Sequence, residues 1–369
     1  MTTPRAFLPL TIVADDLTGA CDTGALFAGA GAVPVTVWPA SAPSARVRAI
    51  DTESRSLEAG EAARRVRTAT GRLKGTMFKK IDSTLRGRIG AEIDALMRAA
   101  GQTSALVCPA LPAERRVVVD RVLTVGAVPV AETPMAADPD FPAATGSSSV
   151  VDLLRPQLDR PLAWISLDKV RGARTALSEQ LGRLSGTVVV ADAETDEDLD
   201  ALADAALAQP RAPLMVGAAG LAHALARRLD LLAPHVEVPA GDRWLIVAGS
   251  LHPATRRQIE LAREAGLTVL ATPDAAADRA TAVAELVALA CERLEAERYD
   301  IVLVTGGETA VALYRALGAE RLDLDGAPRP GLAMGRLRLP GRAALPLVTK
   351  AGGFGPPELF VSLAREAVS

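Results

Sequence analysis

Three groups of residues in this chain could do chemistry. The first is Asp15-Asp16-Leu17-Thr18-Gly19-Ala20, with Asp22 after it, at the end of the apolar run Phe7–Ala14. Adjacent carboxylates at a strand end can accept a hydroxyl proton, hold Mg2+ or cap the next helix, and two of them with Thr-Gly exceed what a cap requires. They are adjacent and not alternate, so this is not the DxDxT of a phosphatase. The second group is Lys79-Lys80-Ile81-Asp82-Ser83-Thr84-Leu85-Arg86-Gly87-Arg88, which holds two of the five lysines of the chain. Cations and hydroxyls gathered where a strand gives way to a helix suit a carboxylate or a phosphate. A polar companion, Asp51–Ser56, reads equally as a capping box and solvated turn.

The third group is a set of glycine turns after strands: Gly249-Ser250-Leu251-His252, Thr305-Gly306-Gly307-Glu308-Thr309 and Lys350-Ala351-Gly352-Gly353-Phe354-Gly355. Exposed backbone N–H groups in such turns, the first two opening helices, are what a polyphosphate requires. None matches GxxxxGK[ST], and no GxGxxG follows a strand, which argues against a P-loop NTPase and a standard dinucleotide-binding oxidoreductase. His252 reads as a turn or cap residue.

The elements that must carry these turns alternate in βα fashion. Strands are expected at Pro9–Ala14, Val33–Trp38, Thr76–Lys80, Ala105–Cys108, Ala163–Ser166, Val188–Ala191 and Leu214–Val216. Helices are expected at Thr18–Ala30, Leu57–Leu73, Ile89–Ala100, Gly172–Leu184 and Asp196–Ala208, and Pro134–Ser149 reads as a long loop. A break at Leu232–Asp242, with two prolines and a glycine, precedes a second series. Its strands are Trp244–Ala248, Thr268–Ala271, Ile301–Val304 and Leu345–Thr349; its helices are Pro253–Ala265, Ala275–Ala296, Thr309–Leu317 and Pro357–Val368. The fold class is α/β: two domains, 1–238 and 239–369, each with a mostly parallel sheet flanked by helices.

Composition narrows the function further. With 369 residues, 41 Lys+Arg and 44 Asp+Glu, the chain lacks the basic excess of a nucleic-acid binder. Cys21, Cys108, Cys291 and the three histidines have no metal spacing, and no metal ligand set is named. The apolar start runs straight into Asp15-Asp16 and reads as a strand, not a signal peptide. The uncharged stretch Thr23–Ala45 is interrupted by three glycines and three prolines, so no membrane span is expected. A cytoplasmic protein is expected, and the sequence allows a homo-oligomer.

The residues thus divide the labour. The acid- and cation-bearing N-terminal domain would hold a small anionic, hydroxylated substrate, the glycine-turn domain a nucleotide phosphate tail, with phosphoryl transfer between them. Asp16, the acid nearer the helix start, is the expected catalytic base; in an extended chain Asp15 would point to the other face.

At these same residues the sequence resembles the four-carbon acid sugar kinases, over almost its whole length. ADDLTGA (Ala14–Ala20), DTESRS (Asp51–Ser56), KKIDSTLRG (Lys79–Gly87), CPALPAERR (Cys108–Arg116) and VGAAGLA (Val216–Ala222) are similar to that family's sugar-binding blocks. GSLHPATRRQ (Gly249–Gln258), TGGETA (Thr305–Ala310), PGLAMG (Pro330–Gly335) and KAGGFG (Lys350–Gly355) are similar to its nucleotide-binding blocks. The resemblance implies ATP, with Mg2+, and phosphorylation of the terminal hydroxyl of threonate, erythronate or a 3-oxo-tetronate. It implies sugar-acid contacts at Asp15, Asp16, Arg55, Lys80, Asp82 and Arg86. It implies ATP contacts at Ser250, Gly306, Gly307, Glu308, Thr309, Gly352 and Gly353. Arg115-Arg116 and Arg121-Val122 stand where the family usually has Gly-Arg and Gly-His, and Ala310 and Ala351 where it has serine. A nucleotide- and sugar-acid-binding protein without turnover is the alternative.

Overall fold

The structure is a computed structural model that describes residues 9–273 and 278–367. Phe7 and Leu8, the helix start expected at Ala275 and the helix end at Val368 lie outside the described residues. The strands in the first part are β1 Leu10–Ala14, β2 Val33–Val37, β3 Val47–Asp51, β4 Thr76–Lys80, β5 Ala105–Cys108, β6 Arg116–Val119, β7 Val122–Val125, β8 Val128–Pro129, β9 Leu162–Ile165, β10 Val188–Ala191 and β11 Leu214–Gly217. Those in the second part are β12 Trp244–Ala248, β13 Thr268–Ala271, β14 Ile301–Thr305, β15 Arg321–Gly326, β16 Leu332–Arg338 and β17 Leu345–Lys350. The helices are α1 Leu17–Ala25, α2 Ala59–Thr70, α3 Ile89–Ala99, α4 Val150–Leu154, α5 Leu167–Val170, α6 Arg174–Arg183, α7 Asp196–Leu207, α8 Ala219–Arg228, α9 Pro253–Glu264, α10 Arg279–Ala296, α11 Gly307–Ala316 and α12 Leu359–Glu366.

The α/β class and the parallel sheets stand as expected, but the two sheets are joined edge to edge. Fourteen strands run in the order β13-β12-β14-β17-β16-β15-β2-β3-β1-β4-β11-β5-β10-β9. From β2 to β9 all pairings are parallel, as are those among β13, β12, β14 and β17. The seam is antiparallel: Leu322 pairs with Val35 and Leu324 with Val33, and β16 then pairs antiparallel with both β15 and β17. An odd number of reversals turns the parallel strands of the second half against those of the first. The carboxyl ends of both sets can therefore face one cleft.

Register brings the functional turns level. Ala14 pairs with Asp51, Val13 with Lys79 and Lys80 with Gly217, so β1, β3, β4 and β11 end along one line. Ala248 pairs with Thr305, and Thr305 with Lys350, so the three glycine turns also start side by side. β1 lies between β3 and β4, and β12 between β13 and β14. Each is a point where the chain leaves to opposite sides and opens a crevice, the usual place for a ligand.

Burial follows from composition. β1, β2, β3 and β12 are buried along their length, as strands covered on both faces are. One core extends through both halves, and a smaller one joins β12, β14, β16 and β17 to α9 and α12 through Ile246, Ile259, Leu303 and Phe360. The expected helix Thr18–Ala30 breaks at Ala25 and continues only as a 3-10 turn at Ala28–Ala30, before Gly31 at φ +103°. Among the described residues no helix is long and apolar enough to cross a membrane.

Candidate active site

Asp16 caps α1. Its Oδ1 accepts from the Gly19 N–H at 3.1 Å, and the Thr18 hydroxyl donates to Oδ2 at 2.6 Å. One guanidinium binds both acids of the pair. Arg55 donates to Asp15 Oδ2 at 2.8 Å and Oδ1 at 3.0 Å, and to Asp16 Oδ1 at 2.6 Å. Asp15 is thus not turned away from its neighbour, because β1 ends at Ala14 and both acids lie in the bend before α1. The two differ in access: the side chain of Asp15 is 2% exposed and that of Asp16 17%. Burial opposes ionisation of Asp15, yet Arg55, Lys79 and Lys80 together hold its carboxyl below the usual carboxylate range.

The end of β4 and the turn after it supply the cations. Lys79 is committed to structure: it pairs with buried Glu92 at 2.9 Å, which also accepts from the Ser54 hydroxyl. Lys80 is buried as well, but its ammonium makes no hydrogen bond or ion pair among the described residues. It lies where the chain of α1 begins, since a Cβ on Gly19 would stand 3.1 Å from Lys80 Nζ and 2.5 Å from Asp16 Oδ1. Only glycine allows both groups to come so close to that backbone. Asp82 accepts from Arg86 Nη2 at 2.9 Å and from the Thr84 N–H at 3.1 Å. Burial works against its charge, but Arg86, Arg55 and these bonds hold its carboxyl well below the usual range. Arg86 also donates to Asp138 at 3.1 Å, in the long loop expected at 134–149. The same loop touches the site again, where the Ser56 hydroxyl donates to Asp140 at 2.6 Å. Arg86 is therefore held by two carboxylates, whereas Lys80 is held by none.

The glycine turns form the opposite wall. Gly306, at φ +102°, starts α11, and a Cβ on Gly307 would lie 3.2 Å from Asp16 Oδ2 and 3.5 Å from Thr18 Oγ1. The first turn of α11 and the cap of α1 are thus in contact across the cleft. Thr309 is buried with its hydroxyl against Gly249, and the Ser250 side chain lies beside Gly352. His252 caps α9, its Nδ1 accepting from the Ala254 N–H at 3.2 Å, and its ring lies against Gly353. Ser250, Gly306, Gly307, Thr309, Gly352 and Gly353 come together; the Glu308 side chain points outward, paired with Arg279 at 2.7 Å.

Several residues of this site were given no role of their own by sequence reasoning. Lys350 is fully buried and pins the last turn, donating to the carbonyls of Ala351 at 3.0 Å and Gly352 at 2.8 Å. Burial pulls its ammonium down to about 7. Its rarity as one of five lysines was the available signal. Asp22, one turn along α1 from Thr18, has a carboxyl pushed up to about 6 by burial, against the pull of Lys80, with Asp16 and Glu114 adding to the rise. Asp138 and Asp140 had no local signal, because only the fold brings them to Arg86 and Ser56. Among the described residues no group of three or more His, Cys, Asp or Glu side chains is arranged to hold a metal ion.

A two-part α/β protein with a carboxylate–cation pocket facing glycine turns at helix N-termini belongs to the class that joins a small anionic ligand to a phosphate-bearing one. The family comparison makes this specific. A sugar-binding N-terminal domain profile matches residues 10–225, and a nucleotide-binding C-terminal domain profile matches residues 274–360. The chain is 33% identical to the D-threonate kinase of Salmonella typhimurium, over 94% of this chain and 96% of that protein. It is 34% identical to the 3-oxo-tetronate kinase of Methylobacterium radiotolerans, over 85% and 78%. The chain belongs to the four-carbon acid sugar kinase family. A Haemophilus influenzae structure of the DUF1537 family shares the fold, with TM-score 0.75 and 20% identity over 97% of this chain and all of that one. A Bordetella bronchiseptica DUF1537 structure, a domain-swapped dimer with bound citrate, aligns with TM-score 0.52 and 32% identity over 97% and 98%.

Proposed function

We propose that the protein is an ATP-dependent kinase that phosphorylates the terminal hydroxyl of a four-carbon acid sugar of the threonate, erythronate or 3-oxo-tetronate type. The observation that carries this reading is the approach of Gly307 to Asp16, 3.2 Å between the position of a Cβ and a carboxylate oxygen. It brings the helix start suited to a donor phosphate within reach of a group able to take the acceptor's proton.

In this reading Asp16 accepts the hydroxyl proton and orients the attacking oxygen, Thr18 and Arg55 fixing its carboxylate. Lys80, buried and unpaired, takes the carboxylate of the acid. Asp15, Arg55, Asp82 and Arg86 form the charged wall around it. Backbone at Gly306, Gly307, Gly352 and Gly353, with Ser250 and Thr309, cradles the phosphates of ATP, and Glu308 lies at the rim. These turns fit the group, because a side chain on Gly307 or Gly352 would fill the space beside Asp16 or Ser250. Mg2+ would arrive on the phosphates and offset their charge, with few protein ligands. The halves would divide at 238/239, in the stretch without helix or strand between α8 and β12. The free thiols Cys21, Cys108 and Cys291 support a cytoplasmic location. The domain-swapped Bordetella relative supports self-association.

The test is ADP release with ATP, Mg2+ and a panel of threonate, erythronate and 3-oxo-tetronates. Asp16→Asn should lower kcat by about 10²–10⁴, with ATP binding retained by calorimetry. Asp15→Asn and Asp82→Asn measured beside it would reassign the base if Asp16→Asn turned over normally. Tight binding of both ligands without ADP release in the presence of any of the acids would leave the binding-only alternative.

A further inference from the structure

Arg116 reaches both walls of the cleft from the start of β6. Its Nη1 donates to the Ser83 hydroxyl in the turn after β4. Its Cζ lies 6.0 Å from the centre of the Phe354 ring, in the turn after β17. Its Nε is buried and has no acceptor. Arg55 and Arg86 each hold two carboxylates, whereas Arg116 makes no ion pair among the described residues. Its charge is felt on the nucleotide side: burial first, then Lys350 and Arg116, lower the His252 imidazole.

A guanidinium carries five N–H donors in a rigid fork, and a buried one left unmet is destabilising. Such a donor, desolvated between a substrate turn and a nucleotide turn, is matched when an anion enters from the cleft. Two anions could do so, the carboxylate of the acid and the terminal phosphoryl of the nucleotide. Phe354 and His252 on one flank, and the unpaired Lys80 as a separate seat for the carboxylate, favour the second.

Building on the kinase reading, we infer that Arg116 is a catalytic residue that holds the phosphoryl group during transfer. The hydroxyl oxygen of the acid forms its bond to the γ-phosphorus, and the bond from that phosphorus to the β,γ-bridging oxygen breaks. ADP leaves with the electron pair, and Asp16 takes the hydroxyl proton. Arg116 exchanges no proton; its N–H groups meet the equatorial oxygens, where charge is spread in the transition state.

The experiment compares wild type, Arg116→Met and Arg116→Lys in two ways. Binding of ADP and of a non-hydrolysable ATP analogue is measured by calorimetry, and kcat and KM are measured with the best acid. Arg116→Met should lose about tenfold in affinity for the analogue but not for ADP, as expected for a lost charge-assisted bond. Its kcat should fall by about 10²–10³, with KM for the acid little changed. Arg116→Lys should recover only part, because a point charge lacks the fork. A decade's rise in KM for the acid at unchanged kcat would overturn the assignment in favour of the carboxylate. Equal losses for ADP and analogue, with a lowered unfolding midpoint, would overturn it in favour of a structural role. If wild type phosphorylated none of the acids, the kinase reading would fail, yet the difference between ADP and analogue would still decide Arg116.

Discussion

At the scale of single residues, the cleft separates charges that are spent from charges that are available. Asp15, Asp82, Arg55 and Arg86 neutralise one another, while Lys80 and Asp22 make no ion pair among the described residues. Lys80→Met should therefore raise KM for the acid by about one to two decades, the worth of a charge-assisted bond. Arg86→Ala should instead lower the unfolding midpoint and loosen the loop at Asp138; a KM effect larger than that of Lys80→Met would reverse the two roles. Asp22 offers a pH test. Its folded carboxyl titrates at about 6, against 3.8 for the free side chain. Between those values the folded state binds more protons, so this group's contribution to stability falls as pH rises through the window. Relative to Asp22→Asn, wild type should lose urea resistance between pH 4 and pH 6 and stay level above it. A difference independent of pH would remove Asp22 from this account.

At the scale of elements, the turns were readable because each follows a short apolar strand. β4, β5, β10, β12 and β13 have the boundaries expected from their runs. Two of those missed, β3 and β15, carry charge inside the strand. β3 contains Arg48, buried with its Nε on the Thr11 hydroxyl, and β15 contains Asp323, held by Arg321 and Arg338. Such alternation reads as loop until a partner strand shows which face is covered. The hairpin β6–β7 turns at Asp120-Arg121, both at positive φ without a glycine, so no turn signal marked it. Asp192 holds that turn, accepting from both N–H groups at 2.8 and 3.0 Å. The glycine turn Thr305-Gly306-Gly307 was legible, although the helix expected from Thr309 begins at Gly307 and its neighbour across the cleft was not foreseen. Gly307→Val should weaken ATP binding by at least about tenfold, because a side chain there meets Asp16 and denies the backbone its close approach. Unchanged ATP affinity in a folded variant would remove this turn from the nucleotide site.

At the scale of the whole molecule, the two halves were legible as separate βα series, and their junction was not. Pairing of β2 with β15 joins residues nearly three hundred positions apart, beyond what local periodicity can encode. Arg315 adds a second tie, donating to the Trp38 carbonyl at 3.2 Å and to the Glu53 carboxylate. The main core extends through both halves, and only the smaller one lies within the second half alone. Heat should therefore meet a single obstacle. Scanning calorimetry should record one absorption peak, whose van't Hoff and calorimetric enthalpies agree. ATP alone, although it touches one wall, should carry the entire peak to higher temperature. Two resolved peaks, with ATP moving only one of them, would mean that the seam is a contact between independent bodies and not a shared structure.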